Sequence, residues 1–145
     1  MRERDDLRVA AYFPEDFDAI EPVVSIEMDF RHHVNPDIAR TIFLGSKPVM
    51  VAGILQMWSG VGTAFIALDK DWVPQNAKWV VRTVRDLLRE AFEHYGFHRI
   101  QADVRKDEPK ALKFARACGF QSEGDMKAYG LDGSDYERFA IVKER

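Results

Sequence analysis

Two adjacent imidazoles, His32 and His33, follow two carboxylates, Glu27 and Asp29. An imidazole titrates near neutral pH, so either ring can take a proton from a substrate under physiological conditions. The plain alternative is a solvated pair after a helix. Asp69 and Asp71 form a second acidic pair, in a Lys/Asp-rich stretch that also reads as ordinary turn chemistry. Tyr129 offers a phenol that can donate a proton, or simply an aromatic for a sheet. Cys118 is the one cysteine and cannot form an intrachain disulfide. Nothing near it in sequence would lower its pKa, so it reads as a small packed side chain. No Cys/His cluster with zinc spacing is present, nor any P-loop, G-x-S-x-G, H-E-x-x-H or EF-hand pattern. No metal site is expected.

Several elements must position these groups. Leu7–Phe13 has enough β-formers for a strand, which Pro14 stops. Proline beside acids at 14–16 suits a helix start, with Phe17 and Ile20 facing inward. A second helix is expected over Val23–Val34, ended by the turn residues Asn35-Pro36-Asp37. Three strand-like runs follow, Thr41–Leu44, Pro48–Trp58 and Thr63–Leu68, separated by Gly-containing turns. That is the pattern of an antiparallel meander. From Pro74 to Tyr95 the period changes, with Val80, Val84, Leu87, Leu88 and Ala91 at helical spacing. Gly96 suits the helix C-cap. His98–Arg105 then alternates at period two, with Ile100, Ala102 and Val104 on one face. Strand, helix and strand in that order form a crossover between parallel neighbours. A short helix at Pro109–Ala117, stopped by Gly119, and strands at Asp125–Tyr129 and Tyr136–Val142 complete one mixed α/β sheet domain, spanning 1–145.

Composition bounds the function classes. The 145 residues are 46% hydrophobic and 31% charged, ordinary values for a folded chain. A length of this order favours one core. Lys plus Arg number 21 and Asp plus Glu 24, a formal net charge of −3. Such a chain has no general attraction to phosphate backbones or anionic lipid, so neither a nucleic-acid nor a membrane partner is expected. The basic residues Arg82, Arg85 and Arg89 share a helix with Asp86 and Glu90, as on a solvated face. A charged start and a longest apolar run near Pro48–Leu55 argue against a secretory signal or a membrane span. A cytoplasmic location is the expectation.

Three runs carry a family resemblance: Lys47-Pro48-Val49-Met50-Val51-Ala52-Gly53-Ile54, Phe97-His98-Arg99-Ile100-Gln101-Ala102-Asp103-Val104, and Lys110 through Gly124, where a short helix ends in Gly119-Phe120 before a strand. With the order of elements, they resemble the GNAT family, the acetyl-CoA-dependent N-acetyltransferases. More narrowly, Met57-Trp58-Ser59-Gly60-Val61-Gly62-Thr63-Ala64 and the glycine-less loop after it resemble short GNAT-like proteins of tailed bacteriophages, some of which are virion components.

The resemblance implies a single-domain GNAT-like α/β fold, a mixed central sheet flanked by helices. It implies acetyl-CoA lying in the splay between two central parallel strands and direct acetylation of an amine. The partners would be acetyl-CoA and an amine for an enzyme, or other virion proteins for a structural component, in the host cytoplasm or the virion. In the family a Gln/Arg-x-x-Gly-x-Gly/Ala loop binds the cofactor pyrophosphate through backbone N–H groups at a helix N-terminus. Asn76-Ala77-Lys78-Trp79-Val80-Val81 stands opposite that loop, with Trp79 and Val81 at the glycine positions. Lys78 could still supply positive charge, but no glycine occurs between Gly62 and Gly96. Glu108 replaces the asparagine that commonly begins the short helix, and Ala115 the tyrosine often proposed as general acid. The segment of Glu27, Asp29, His32 and His33 would line the acceptor groove, making His32 the candidate base. Asp69 would lie near the acetyl group, and Tyr129 would replace the missing proton donor.

Overall fold

The computed structural model describes residues 7–20, 34–72 and 77–143. Strand β1 (Leu7–Ala11) leads into a one-turn helix, α1 (Pro14–Asp18). The second helix expected at Val23–Val34 falls, apart from Val34, outside the described residues. Asn35 then caps a 3-10 turn at Pro36–Ile38, its Oδ1 accepting from the Asp37 N–H at 3.0 Å. The expected meander follows as β2 (Ala39–Leu44), β3 (Lys47–Trp58) and β4 (Val61–Leu68), each antiparallel to the one before.

β3 is buried from Val49 to Ile54 because both of its faces are covered. Met50, Ala52 and Ile54 enter the main core, while Val51 enters a smaller one with Tyr12, Ile20, Ala39 and Ala67. Gly53 is required by a close approach: a Cβ there would lie 2.9 Å from both the Ala39 methyl and the Phe65 ring. Helix α2 (Ala77–His94) lays Val80, Val84, Leu87, Leu88 and Ala91 into the main core. This apolar stripe is what stabilises the helix. Arg82, Arg85 and Arg89 face solvent, and Arg89 pairs with Asp86 at 2.6 Å. No helix among the described residues is long and apolar enough to cross a membrane.

After the crossover come β5 (Arg99–Arg105), α3 (Pro109–Ala117), β6 (Gln121–Met126) and β7 (Tyr136–Val142). The seven strands form one mixed sheet in the order β1-β2-β3-β4-β5-β7-β6. One element sits elsewhere than the sequence suggests. The strand expected at Asp125–Tyr129 is β6, which begins four residues earlier and ends at Met126. Ala128 takes a left-handed conformation, φ 54°, and donates its N–H to Asp135 Oδ1 at 2.8 Å. That turn stops the strand and places Tyr129 in the connection to β7.

Candidate functional site

Among the described residues β4 and β5 are the one parallel pair, and they stay together only briefly. Pairing covers Val61–Arg99, Gly62–Ile100 and Thr63–Gln101, although the strands are eight and seven residues long. On its other side β4 pairs with β3 as far as Leu68, and β5 pairs with β7 as far as Arg105. The sheet is therefore two half-sheets joined at one end. Beyond Thr63 and Gln101 the facing backbone edges, Ala64–Leu68 and Ala102–Arg105, enclose a wedge. Between these two edges the strand pairing does not continue past Thr63 and Gln101. Gly62 lies at the closed end, where a Cβ would sit 2.6 Å from Ile54 and 2.9 Å from the Phe97 ring.

Asp69 follows the last residue of β4 and is 2% exposed. Its N–H donates to the Val49 carbonyl at 2.8 Å, and its carbonyl accepts from the Trp72 N–H at 3.1 Å. Oδ2 accepts from Lys47 Nζ at 3.1 Å and from the Asp71 N–H at 3.3 Å. The carboxylate thus knits the turn leaving the sheet to the start of β3. Trp72 is buried in the main core with no hydrogen-bond partner for its Nε1.

In the first turn of α2, Ala77 and Lys78 are exposed, Trp79 and Val81 are half-buried and packed against the core, and Val80 is buried. The bulky side chains at the positions where the resemblance expects glycine are thus directed at the core, while the Lys78 ammonium remains in solvent. The first turn of α2 therefore offers one cation to solvent on a backbone that carries a Cβ at every position. Asn76 lies outside the described residues, as do Glu27, Asp29, His32 and His33.

Tyr129 arrives at β5 from the β6–β7 connection. Its hydroxyl donates to Asp103 Oδ2 at 3.1 Å, and Asp103 is also clasped by Arg138, Nε to Oδ1 at 2.9 Å and Nη2 to Oδ2 at 3.2 Å. Burial and then the Asp103 carboxylate push the Tyr129 phenol above its ordinary range. The Asp103 hydrogen bond raises Arg138 in turn. The connection is anchored by Arg105, which bonds Asp107 at 3.1 Å and Asp132 at 3.2 Å. Hydrogen bonds from Ser134 and Arg105 hold the Asp132 carboxyl down to about 2. Asp103 and Arg138 escaped notice in the sequence. The available signal was the polar face of β5, which must oppose the apolar face of Ile100, Ala102 and Val104.

Of the sequence candidates, Asp69 and Ala77–Val81 lie around the end of β4 and the start of α2, whereas Tyr129 is held to β5 through Asp103. Among the described residues no cluster of three or more His, Cys, Asp or Glu could hold a metal. A concavity of about 360 Å³ lies elsewhere, around Arg40, Glu90 and Tyr95, and shares no residue with this constellation.

Cys118 is buried behind α3, and desolvation raises its thiol to about 11. At pH 8 only about one thiol in a thousand is ionised at such a pKa. Labelling by a thiol reagent is therefore expected to be slow in the folded protein and to reach its full rate in denaturant. Rapid native labelling would place Cys118 at the surface.

No family sequence model and no curated protein matches this chain. Solved structures do. A spermidine N-acetyltransferase chimera from Vibrio cholerae and hSSAT superposes with a TM-score of 0.71 at 16% identity, over 94% of this chain and 95% of that one. An acetyltransferase of the GNAT family from Bacillus anthracis gives 0.69 at 15% identity, over 97% and 96%. The microcin C7 self-immunity acetyltransferase MccE, in complex with acetyl-CoA and AMP, gives 0.61 at 19% identity, over 72% of this chain and 59% of that one. The chain has the GNAT acetyltransferase fold.

Proposed function

We propose that this protein is an N-acetyltransferase that moves an acetyl group from acetyl-CoA to a primary amine. The observation that carries the proposal is the early end of β4–β5 pairing, which parts two neighbouring strands in the middle of a sheet. Fold alone is a weak warrant for activity. Here the fold neighbours named for acetyl transfer add support to a wedge already present in this chain. Acetyl-CoA supplies an activated acyl group on a good thiolate leaving group. The backbone of Ala64–Leu68 would hold its extended part, and the exposed first turn of α2 with Lys78 its phosphates. Tyr129, held to β5 through Asp103, would be the proton-handling group. His32 stays a proposed base, and Asp69 a proposed neighbour of the acetyl group. Spermidine, named for one structural neighbour, is a first acceptor to try.

Calorimetric and thermal-shift titration with acetyl-CoA tests this. Saturable binding with a low-micromolar Kd is expected, and at a hundredfold excess over Kd it stabilises the fold by about 2.7 kcal/mol. No shift at millimolar acetyl-CoA overturns the proposal.

A second reading, a non-catalytic GNAT-like component of a phage particle binding other virion proteins, is favoured by one observation: the first turn of α2 has no glycine. Backbone approach to a pyrophosphate is then hindered by Cβ atoms. Failure of the titration, together with recovery of the chain in purified particles, would select it.

A further inference from the structure

Tyr129 donates its only hydroxyl proton to a carboxylate that Arg138 grips at both oxygens. A phenol oxygen that donates one bond keeps two acceptor lone pairs. Arg138 is bonded to the same Asp103 carboxylate. Tyr129 itself is 52% exposed, so its oxygen can be reached from outside. Asp103 lies on β5 two residues beyond Gln101, the last position paired with β4, or about 7 Å into the open part of the strand. The second half-sheet thus presents a phenol oxygen, backed by a fixed proton acceptor on the strand that borders the wedge. The charged groups facing this oxygen are Asp103 from β5 and Arg138 from β7, with the Tyr136 ring edge-on at 5.4 Å.

We propose that Tyr129 and Asp103 form a proton relay that deprotonates the attacking amine in place of a His32 base, with Arg138 as a positioning residue. This rests on the acetyltransferase reading. As the N–C bond forms and the C–S bond breaks, the electron pair of the C–S bond leaves on sulfur and the nitrogen becomes acidic. The nitrogen's proton passes to the Tyr129 oxygen while the hydroxyl proton of Tyr129 passes to Asp103 Oδ2. Asp103 then returns its proton to solvent, from which the thiolate is reprotonated. The sum is amine plus thioester giving amide plus thiol. Throughout, the phenol never carries a full negative charge, which suits its position beside a carboxylate. Arg138 keeps Oδ2 turned toward the phenol and offsets the carboxylate charge that would otherwise oppose proton departure.

Two measurements test the relay. The first needs no catalysis: in protein labelled with ¹³C at tyrosine Cζ, the Tyr129 resonance titrates at higher pH in the wild type than in Asp103→Asn. An unchanged titration would show the two groups to be uncoupled and overturn the relay. The second follows thiol release from acetyl-CoA with spermidine as probe amine, between pH 5 and 9. Tyr129→Phe and Asp103→Asn each lower kcat on the order of 100-fold, leave the KM for acetyl-CoA unchanged, and flatten the low-pH limb. Tyr136→Phe, which keeps the neighbouring ring, preserves rate and profile. Wild-type transfer that survives Tyr129→Phe overturns the relay alone. A wild type that binds acetyl-CoA but transfers nothing to spermidine overturns the relay for this acceptor, whereas no acetyl-CoA binding overturns the parent reading as well.

Discussion

Phe139→Ala is expected to destabilise the fold by about 3–5 kcal/mol, the range for removing a buried aromatic ring. Phe139 is 0% exposed and among the largest fully buried side chains of the chain. On β7 it stands opposite Ala102 of β5 and Ser122 of β6, and it shares the main core with Ala115, Cys118 and Phe120. Arg116 of α3 also lies over the ring, 5.2 Å from its centroid, and would lose that contact. The ring therefore holds α3 against the second half-sheet, and no neighbour can swing in to fill its volume without breaking strand register. Since domains have a total stability of about 5–15 kcal/mol, a large fraction would disappear, with a fall in Tm on the order of 10 °C. Urea unfolding followed by circular dichroism measures it. Leu131→Ala is the matched control: Leu131 is 84% exposed, and its loss should stay within about 0.5 kcal/mol. A cost below about 1 kcal/mol for Phe139→Ala would mean that β7 does not close the core.

The contrast between these two residues also explains how much could be read from sequence. Val80, Val84, Leu87, Leu88 and Ala91 announce α2 because a helix that buries one face must repeat at 3.6 residues, and the structure buries all five. Ile100 and Val104 announce β5 by the same logic at period two. β6 gives no such signal. Five of its six residues are exposed and it lies at the sheet edge, so no core selects its side chains. A polar run with a glycine then looks like loop, and the strand was expected further along. The wedge is hidden for a different reason. Nothing in β4 or β5 separately says where their pairing ends, because that is a property of two strands joined only through a long helix. Asp103 and Arg138, 35 residues apart, meet through the β5–β7 register. Tyr129 could be singled out as a phenol, but its partner required the fold.

Trp79→Gly is expected to move stability and acetyl-CoA affinity in opposite directions. Trp79 is the third residue of α2, half-buried against the main core, and its carbonyl accepts from the Thr83 hydroxyl at 3.0 Å. Loss of part of an aromatic ring's packing, together with a glycine in a helix, costs about 2–4 kcal/mol. The same change removes the Cβ and ring from one of the two positions where the GNAT resemblance places glycine, so backbone N–H groups could approach a phosphate more closely. On the proposed function, affinity for acetyl-CoA rises about tenfold, equivalent to about 1.4 kcal/mol. Titration well below the lowered Tm reads it directly. Trp79→Phe separates the two effects, because it keeps a ring and a Cβ and should therefore retain most of the stability with no gain in binding. If Trp79→Gly loses stability but binds acetyl-CoA no better than Trp79→Phe, the first turn of α2 does not face the phosphates. Affinity would then have to come from the edges of β4 and β5 alone, and substitutions at Lys78 should leave it unchanged.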